Sequence, residues 1–80
     1  MSEPDTELDT RGLLCPLPVL RAQQAMSRLE RGNLLALLAD DEGILADLPP
    51  WCEGNGHELV AMHRVESPRT HWRCLVRKGR

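Results

Sequence analysis

The stretch "LDTRGLLCPLPVLRAQQAMSRLERGNLLALLAD", residues 8–40, contains three segments of different periodicity, and their order decides the fold. "LDTRGLL" (8–14) reads as a short strand that runs straight into Cys15. From Pro16 the period changes. Val19, Ala22, Met26 and Leu29 recur at helical spacing, while Arg21, Arg28 and Arg31 fall largely away from that stripe. Proline is tolerated in a first helical turn, whose amides lack intrahelical partners, and Gly32 suits a C-terminal cap. The spacing therefore predicts a helix over 16–31. "NLLALLAD" (33–40) is a continuous apolar run bounded by Gly-Asn and two acids. Its leucines would suit a helix, but its length and flanks favour a strand buried on both faces. Strand, helix and buried strand together predict a right-handed parallel crossover.

Further along, "DEGILADLPPWCEG" (41–54) reads as a second helix with acids at its positive end. Pro49 and Pro50 are expected to kink it or divide it into two short pieces, and Gly54 and Gly56 to close it. "HELVAMHRV" (57–65) and "HWRCLVRK" (71–78) read as strands joined by a turn around "ESPRT" (66–70). In the last strand Trp72, Cys74 and Val76 share one face, and His71, Arg73 and Arg77 the other. Residues 1–7 read as a disordered tail and 8–79 as one domain. The expected class is α/β (α+β), a two-layer β-α-β-α-β-β sandwich with a four-stranded mixed sheet and two helices on one face.

Composition narrows the function classes. Eighty residues make one small domain. Trp51 and Trp72 stand without any Phe or Tyr, which argues against a base-stacking RNA platform. A net charge of -2 predicts neither nucleic acid nor membrane as a partner. "RCLVRKGR" (73–80) is a local basic exception. It reads as a solvated strand edge and tail, with a docking patch for an acidic protein as the sharper alternative. "MSEPDTEL" (1–8) is acidic and lacks the apolar run of a signal peptide or membrane anchor. Three cysteines, an odd count, point to reduced thiols in the cytoplasm.

Cys15 is the residue that most needs a reason. If the first strand ends near Leu14 and the helix begins at Pro16, Cys15 is the N-cap, where Ser, Thr, Asp or Asn would be usual. Helix dipoles and free amides there favour a thiolate, the nucleophilic form. Pro16 and Pro18 remove two first-turn donors and leave the amides of Leu17 and Val19, so moderate activation is expected. Pro18 also stands where a dithiol oxidoreductase would have its second cysteine. An adduct on Cys15 would thus persist until an outside thiol removed it, which suits a carrier.

Residues 8–26, "LDTRGLLCPLPVLRAQQAM", resemble the start of the TusA/SirA-like sulfur-carrier family, whose hallmark is Cys-Pro-x-Pro at a strand-to-helix junction. "LLADDEGILADLPPWC" (37–52), "GHELV" (56–60) and "VRKG" (76–79) are similar to later family segments, so the resemblance runs from Leu8 to Gly79. It implies a sulfurtransferase of the carrier type, holding a persulfide on Cys15. The sulfur would come from a cysteine desulfurase or rhodanese-type donor and go to an acceptor protein. Family destinations are tRNA thiolation, molybdenum-cofactor maturation and sulfur oxidation. The resemblance makes Pro16 and Pro18 motif residues that position the sulfur. Leu17, at the variable position, becomes an apolar contact for a partner. Thiolate exchange needs no metal or organic cofactor, and a monomer fits a protein that must show its sulfur to two partners. The rival reading is a non-catalytic interaction or regulatory module on the same fold.

The remaining candidates read as structural. Cys74 shares a face with Trp72 and Val76 and is assigned to the core, and Cys52 to packing in the second helix. A zinc site from Cys52, His57, His71 and Cys74 is disfavoured, because His71 and Cys74 point to opposite strand faces. None of His57, His63 and His71 is named as a base for Cys15. Asp40 and Asp41 should lie on the Cys15 rim if the first two strands are parallel. Capping of the second helix is their preferred role, and beside a thiolate they would raise its pKa.

Overall fold

A computed structural model describes residues 3–80. Six elements follow one another: β1 (Thr6–Asp9), α1 (Leu17–Met26), β2 (Leu34–Ala39), α2 (Gly43–Gly54), β3 (Glu58–Val65) and β4 (His71–Arg77). The sheet order is β1-β2-β4-β3, with β1 parallel to β2 and the other pairs antiparallel. The two-layer β-α-β-α-β-β class holds.

Every residue of β2 is buried, as its apolar run requires. Leu35, Leu37 and Ala39 join the core under the helices, with Cys74 and Val76 from β4. Leu34, Ala36 and Leu38 face the other way and are buried too. Their register partners Arg77 and Arg73 flank them on β4. The two guanidiniums reach Glu58 and Glu7 at 3.6 and 3.7 Å, so the arginine stems lie over the apolar stripe. The basic C-terminal segment is therefore absorbed by the fold. It is also no sheet edge: β4 is an inner strand, and β1 and β3 are the edges.

Both ends of β1 and the end of α1 differ from the sequence reading. β1 starts at Thr6, inside the stretch read as a tail, and ends at Asp9 rather than Leu14. Of that tail, residues 1 and 2 lie outside the described residues. Asp5 accepts from the Leu34 amide at 2.7 Å and donates its own amide to the Leu34 carbonyl, so an acid-rich segment is stitched to β2. Only Leu8 of β1 packs on the core, which left little apolar signal to read. α1 ends at Met26, well before Gly32. Lys78, just beyond β4, donates to the Met26 and Leu29 carbonyls at 2.6 and 2.5 Å, an end-cap brought from the far end of the chain. Gly32, at φ +90°, instead sits in the turn into β2 and donates its amide to Lys78 O.

α2 runs unbroken through Pro49 and Pro50. Their rings forgo bonds to the carbonyls of Leu45 and Ala46, on an exposed side where water replaces the donor. Ile44, Leu48 and Cys52, spaced by four, hold the helix on the sheet. Gly56, at φ +72°, closes it as expected: the His57 amide reaches Cys52 O and the Gly56 amide reaches Glu53 O.

Cys52 and Cys74 are 2% and 0% exposed, and burial pushes both thiols up to about 11. Between about pH 9 and 11 the unfolded chain ionises these thiols while the folded one keeps their protons. Stability is therefore complete below the unfolded value and declines as pH rises, by at most about 1.4 kcal/mol per pH unit per thiol. Urea midpoints across that window should fall more steeply for wild type than for Cys74→Ala.

Candidate functional site

Because β1 and β2 are parallel, their C-terminal ends share one rim, and the chain leaves both there. Thr10 is buried at that rim, with its hydroxyl and amide both donated to Leu38 O. Arg11 forks back onto Asp9 through Nε and a terminal nitrogen at 2.9 and 2.8 Å, and that bonding pulls the Asp9 carboxyl down to about 2. Two aspartates then tie the loop before α1 to the loop before α2. Asp40 Oδ1 accepts from the Gly12 amide at 2.9 Å, and Asp41 Oδ2 accepts from the Cys15 amide at 2.7 Å. The other oxygen of Asp41 accepts from Gly43, the first residue of α2, at 3.2 Å. Both amide bonds hold the Asp41 carboxyl below its ordinary value. The N-cap of α2 is Glu42, so the two aspartates expected to cap that helix do otherwise: Asp40 bonds Gly12, and Asp41 reaches the first α2 amide while clamping the cysteine backbone, which the sequence alone did not show.

The motif itself sits one step off its expected frame. Pro16 is the N-cap residue of α1 and Cys15 precedes it, because the turn closes through the Leu17 amide on Leu14 O at 2.9 Å. Pro18 is buried against the core, while Pro16 and Leu17 are exposed. Cys15 is a free, partly exposed thiol.

Its neighbour is the first turn of α2 rather than the amides of α1. A β-carbon added to Gly43 would stand 3.0 Å from Cys15 Cβ and 3.3 Å from Sγ, so any larger residue would push on the cysteine side chain. One turn on stands the Asp47 carboxylate, whose charge acts on the thiol. Burial first, then the charges of Asp41 and Asp47, push the Cys15 pKa up. The moderate activation expected from a helix N-terminus is therefore corrected: burial, with the nearby carboxylates, disfavours the thiolate, and the resting thiol keeps its proton. Gly43 and Asp47 were missed as site residues. Their i, i+4 spacing at the start of a helix predicted on the Cys15 rim was the available signal.

Asp47→Asn removes a negative charge beside the sulfur and so favours the thiolate. The variant should react with iodoacetamide several-fold faster than wild type at pH 7, with its rate-versus-pH curve moved to lower pH. An unmoved curve would show that Asp47 does not contribute and that burial and Asp41 set the shift.

The histidines lie elsewhere. His57 packs against Trp51 with ring centroids 5.4 Å apart and accepts the Gly79 amide at Nδ1. His71 is buried at Arg69 O, and His63 is exposed on β3. Among the described residues, no three potential metal ligands converge, and no helix is long and apolar enough to cross a membrane.

Comparison with known proteins meets this geometry directly. The sequence model of the family described as Sulfurtransferase TusA matches residues 6–78. The chain belongs to the TusA family. A Bacillus subtilis (strain 168) protein named "Putative sulfur carrier protein YrkI" is 43% identical over 56 residues, which are 70% of this chain and 75% of that protein. The crystal structure of a SirA-like protein from Desulfitobacterium hafniense superposes with a TM-score of 0.73 at 26% identity, over 94% of this chain and 99% of that one. The TusA match begins at Thr6, the first residue of β1, and so takes in the strand that the sequence reading had cut short.

Proposed function

We propose that Cys15 carries sulfane sulfur as a persulfide between a donor and an acceptor protein. The observation that supports this most is the contrast among the three thiols. Cys15, in the TusA motif Cys15-Pro16-Leu17-Pro18, is partly exposed, whereas Cys52 and Cys74 are sealed in the core and cannot resolve an adduct on it. In loading, the Cys15 thiolate attacks the outer sulfur of a donor persulfide. One S–S bond forms on Cys15, the donor's S–S bond breaks, and the donor cysteine leaves as a thiolate. Unloading is the same exchange with an acceptor cysteine as the attacker, so no oxidant, metal or organic cofactor is consumed. A persulfide is more acidic than a thiol, so its outer sulfur is anionic at neutral pH beside carboxylates that disfavour it. That repulsion favours giving the sulfur away. Pro16 and Pro18 position the sulfur, and donors of the cysteine desulfurase or rhodanese type fit this exchange. We assign the relay to the cytoplasm, where all three thiols stay reduced, and to a pathway of tRNA thiolation, molybdenum-cofactor maturation or sulfur oxidation.

The raised thiol pKa favours the second reading, an interaction or regulatory module in which Cys15 carries nothing. Intact-protein mass spectrometry separates the two. Reduced protein is incubated with polysulfide, or with a desulfurase and cysteine, then digested to locate any adduct. A gain of sulfur atoms on the Cys15 peptide, reversed by reductant, supports the relay. No adduct from either source leaves the module reading.

A further inference from the structure

Among the described residues five large apolar side chains are well exposed, and three of them, Leu14, Leu17 and Leu20, belong to the helix start beside Cys15. Leu14 is 73% exposed and adjoins the thiol residue. Leu17 and Leu20, at 42% and 48%, continue from it along one side of α1, because the Leu14–Leu17 turn leads into the helix at the same spacing of three. Leu45, at 44%, lies two residues beyond Gly43 and so on the opposite side of α2 from the sulfur. The α2 side is acidic: Asp40, Asp41, Glu42 and Asp47 fall within eight residues, and Asp41 and Asp47 act directly on the thiol. Among the described residues the four carboxylates have no ion pair. Arg21, one turn past Leu17, is the cation on the α1 side.

We propose that this face docks a protein whose own reactive cysteine is bordered by apolar and basic side chains, the apolar ones on the Leu14–Leu17 side and the basic ones over Asp41 and Asp47. The inference rests on the carrier reading and adds the chemistry of the partner. Charge complementarity selects a basic partner over an acidic one, and apolar contact at the α1 rim gives the docked pair an orientation. Docking also has a chemical effect. A lysine or arginine set against Asp41 and Asp47 offsets the charges that keep Cys15 protonated, so the thiol becomes nucleophilic when its partner arrives.

The test uses thiol–disulfide exchange and does not depend on sulfur carriage. Short cysteine peptides are prepared as mixed disulfides with 5-thio-2-nitrobenzoate. Attack by the Cys15 thiolate joins it to the peptide sulfur and releases the coloured nitrobenzoate thiolate. One peptide flanks its cysteine with leucine and lysine, a second with leucine and glutamate, and a third with serine and lysine. Each rate is divided by that of 2-mercaptoethanol with the same peptide. The leucine–lysine peptide should react about tenfold faster than the leucine–glutamate one at low ionic strength, with the gap closing near 1 M salt, where screening acts over about 3 Å. Glu42→Lys should narrow that gap, and Leu14→Ser with Leu17→Ser should remove the preference for leucine over serine. Equal normalised rates for the three peptides would overturn the proposal. Mass spectrometry of sulfur uptake reports separately on the carrier reading, so the two fail independently.

Discussion

Cys15→Ser is expected to take up no sulfur from polysulfide or from a desulfurase, while folding as wild type does. The loss should be complete, because the other two thiols cannot substitute. Cys52 and Cys74 are 2% and 0% exposed and titrate at about 11. At pH 7 roughly one in ten thousand of each would be a thiolate even if a donor could reach it. The fold should be insensitive because Cys15 is only partly buried and serine is nearly the same size. A urea midpoint matching wild type, within about 0.5 kcal/mol, would confirm that only chemistry was lost. Uptake on the Cys52 or Cys74 peptide would contradict the static burial and show that α2 opens.

Leu48→Ala is expected to cost about 2–5 kcal/mol, the range for deleting a buried leucine side chain. Leu48 is fully buried, midway along the Ile44–Cys52 stripe that seats α2 on the sheet. A domain of this size has a total stability of about 4–12 kcal/mol, so the change removes a large share of it. Leu45→Ala, three residues earlier and 44% exposed, should stay near wild type in denaturant. The Leu48 variant should also expose the site, because Gly43 and Asp47 reach Cys15 only while α2 is seated. Faster alkylation of Cys15 in that variant, below its unfolding midpoint, is the accompanying signature.

Much of this was legible in the sequence, and the misses share a cause. The all-apolar run of β2, the helical stripe Val19–Ala22–Met26 and the alternation in β4 are local periodicities set by burial, and each held. The end of α1 was misplaced because its cap is a lysine side chain 52 residues away, at Lys78. The start of β1 was misplaced because Asp5 joins the sheet through hydrogen bonds, not apolar contact. A kink or a division at Pro49 and Pro50 was expected from local rules, and the division does not occur because the buried stripe on the other side of α2 holds it as one helix. At the candidate site, Cys15 was singled out by its motif and its odd place beside a helix start. Gly43 and Asp47 were not, because the parallel crossover that sets them against the sulfur is a tertiary event. The sign of the thiol's shift followed from burial first and from the Asp41 and Asp47 charges second, and both are set by that same crossover.

The two aspartate bonds, Asp40 to Gly12 and Asp41 to Cys15, span 28 and 26 residues. A peptide containing only the Cys-Pro-Leu-Pro motif therefore has an ordinary cysteine, with neither clamp nor carboxylate neighbours. In a chain made from its N-terminus, the reactive residue emerges early and acquires its setting late, once β2 and α2 have formed. Until then the thiol is more easily ionised than it will be in the finished protein. Labelling of Cys15 during synthesis or refolding would thus time the closure of the crossover, with slowing reaction marking each molecule that has completed it.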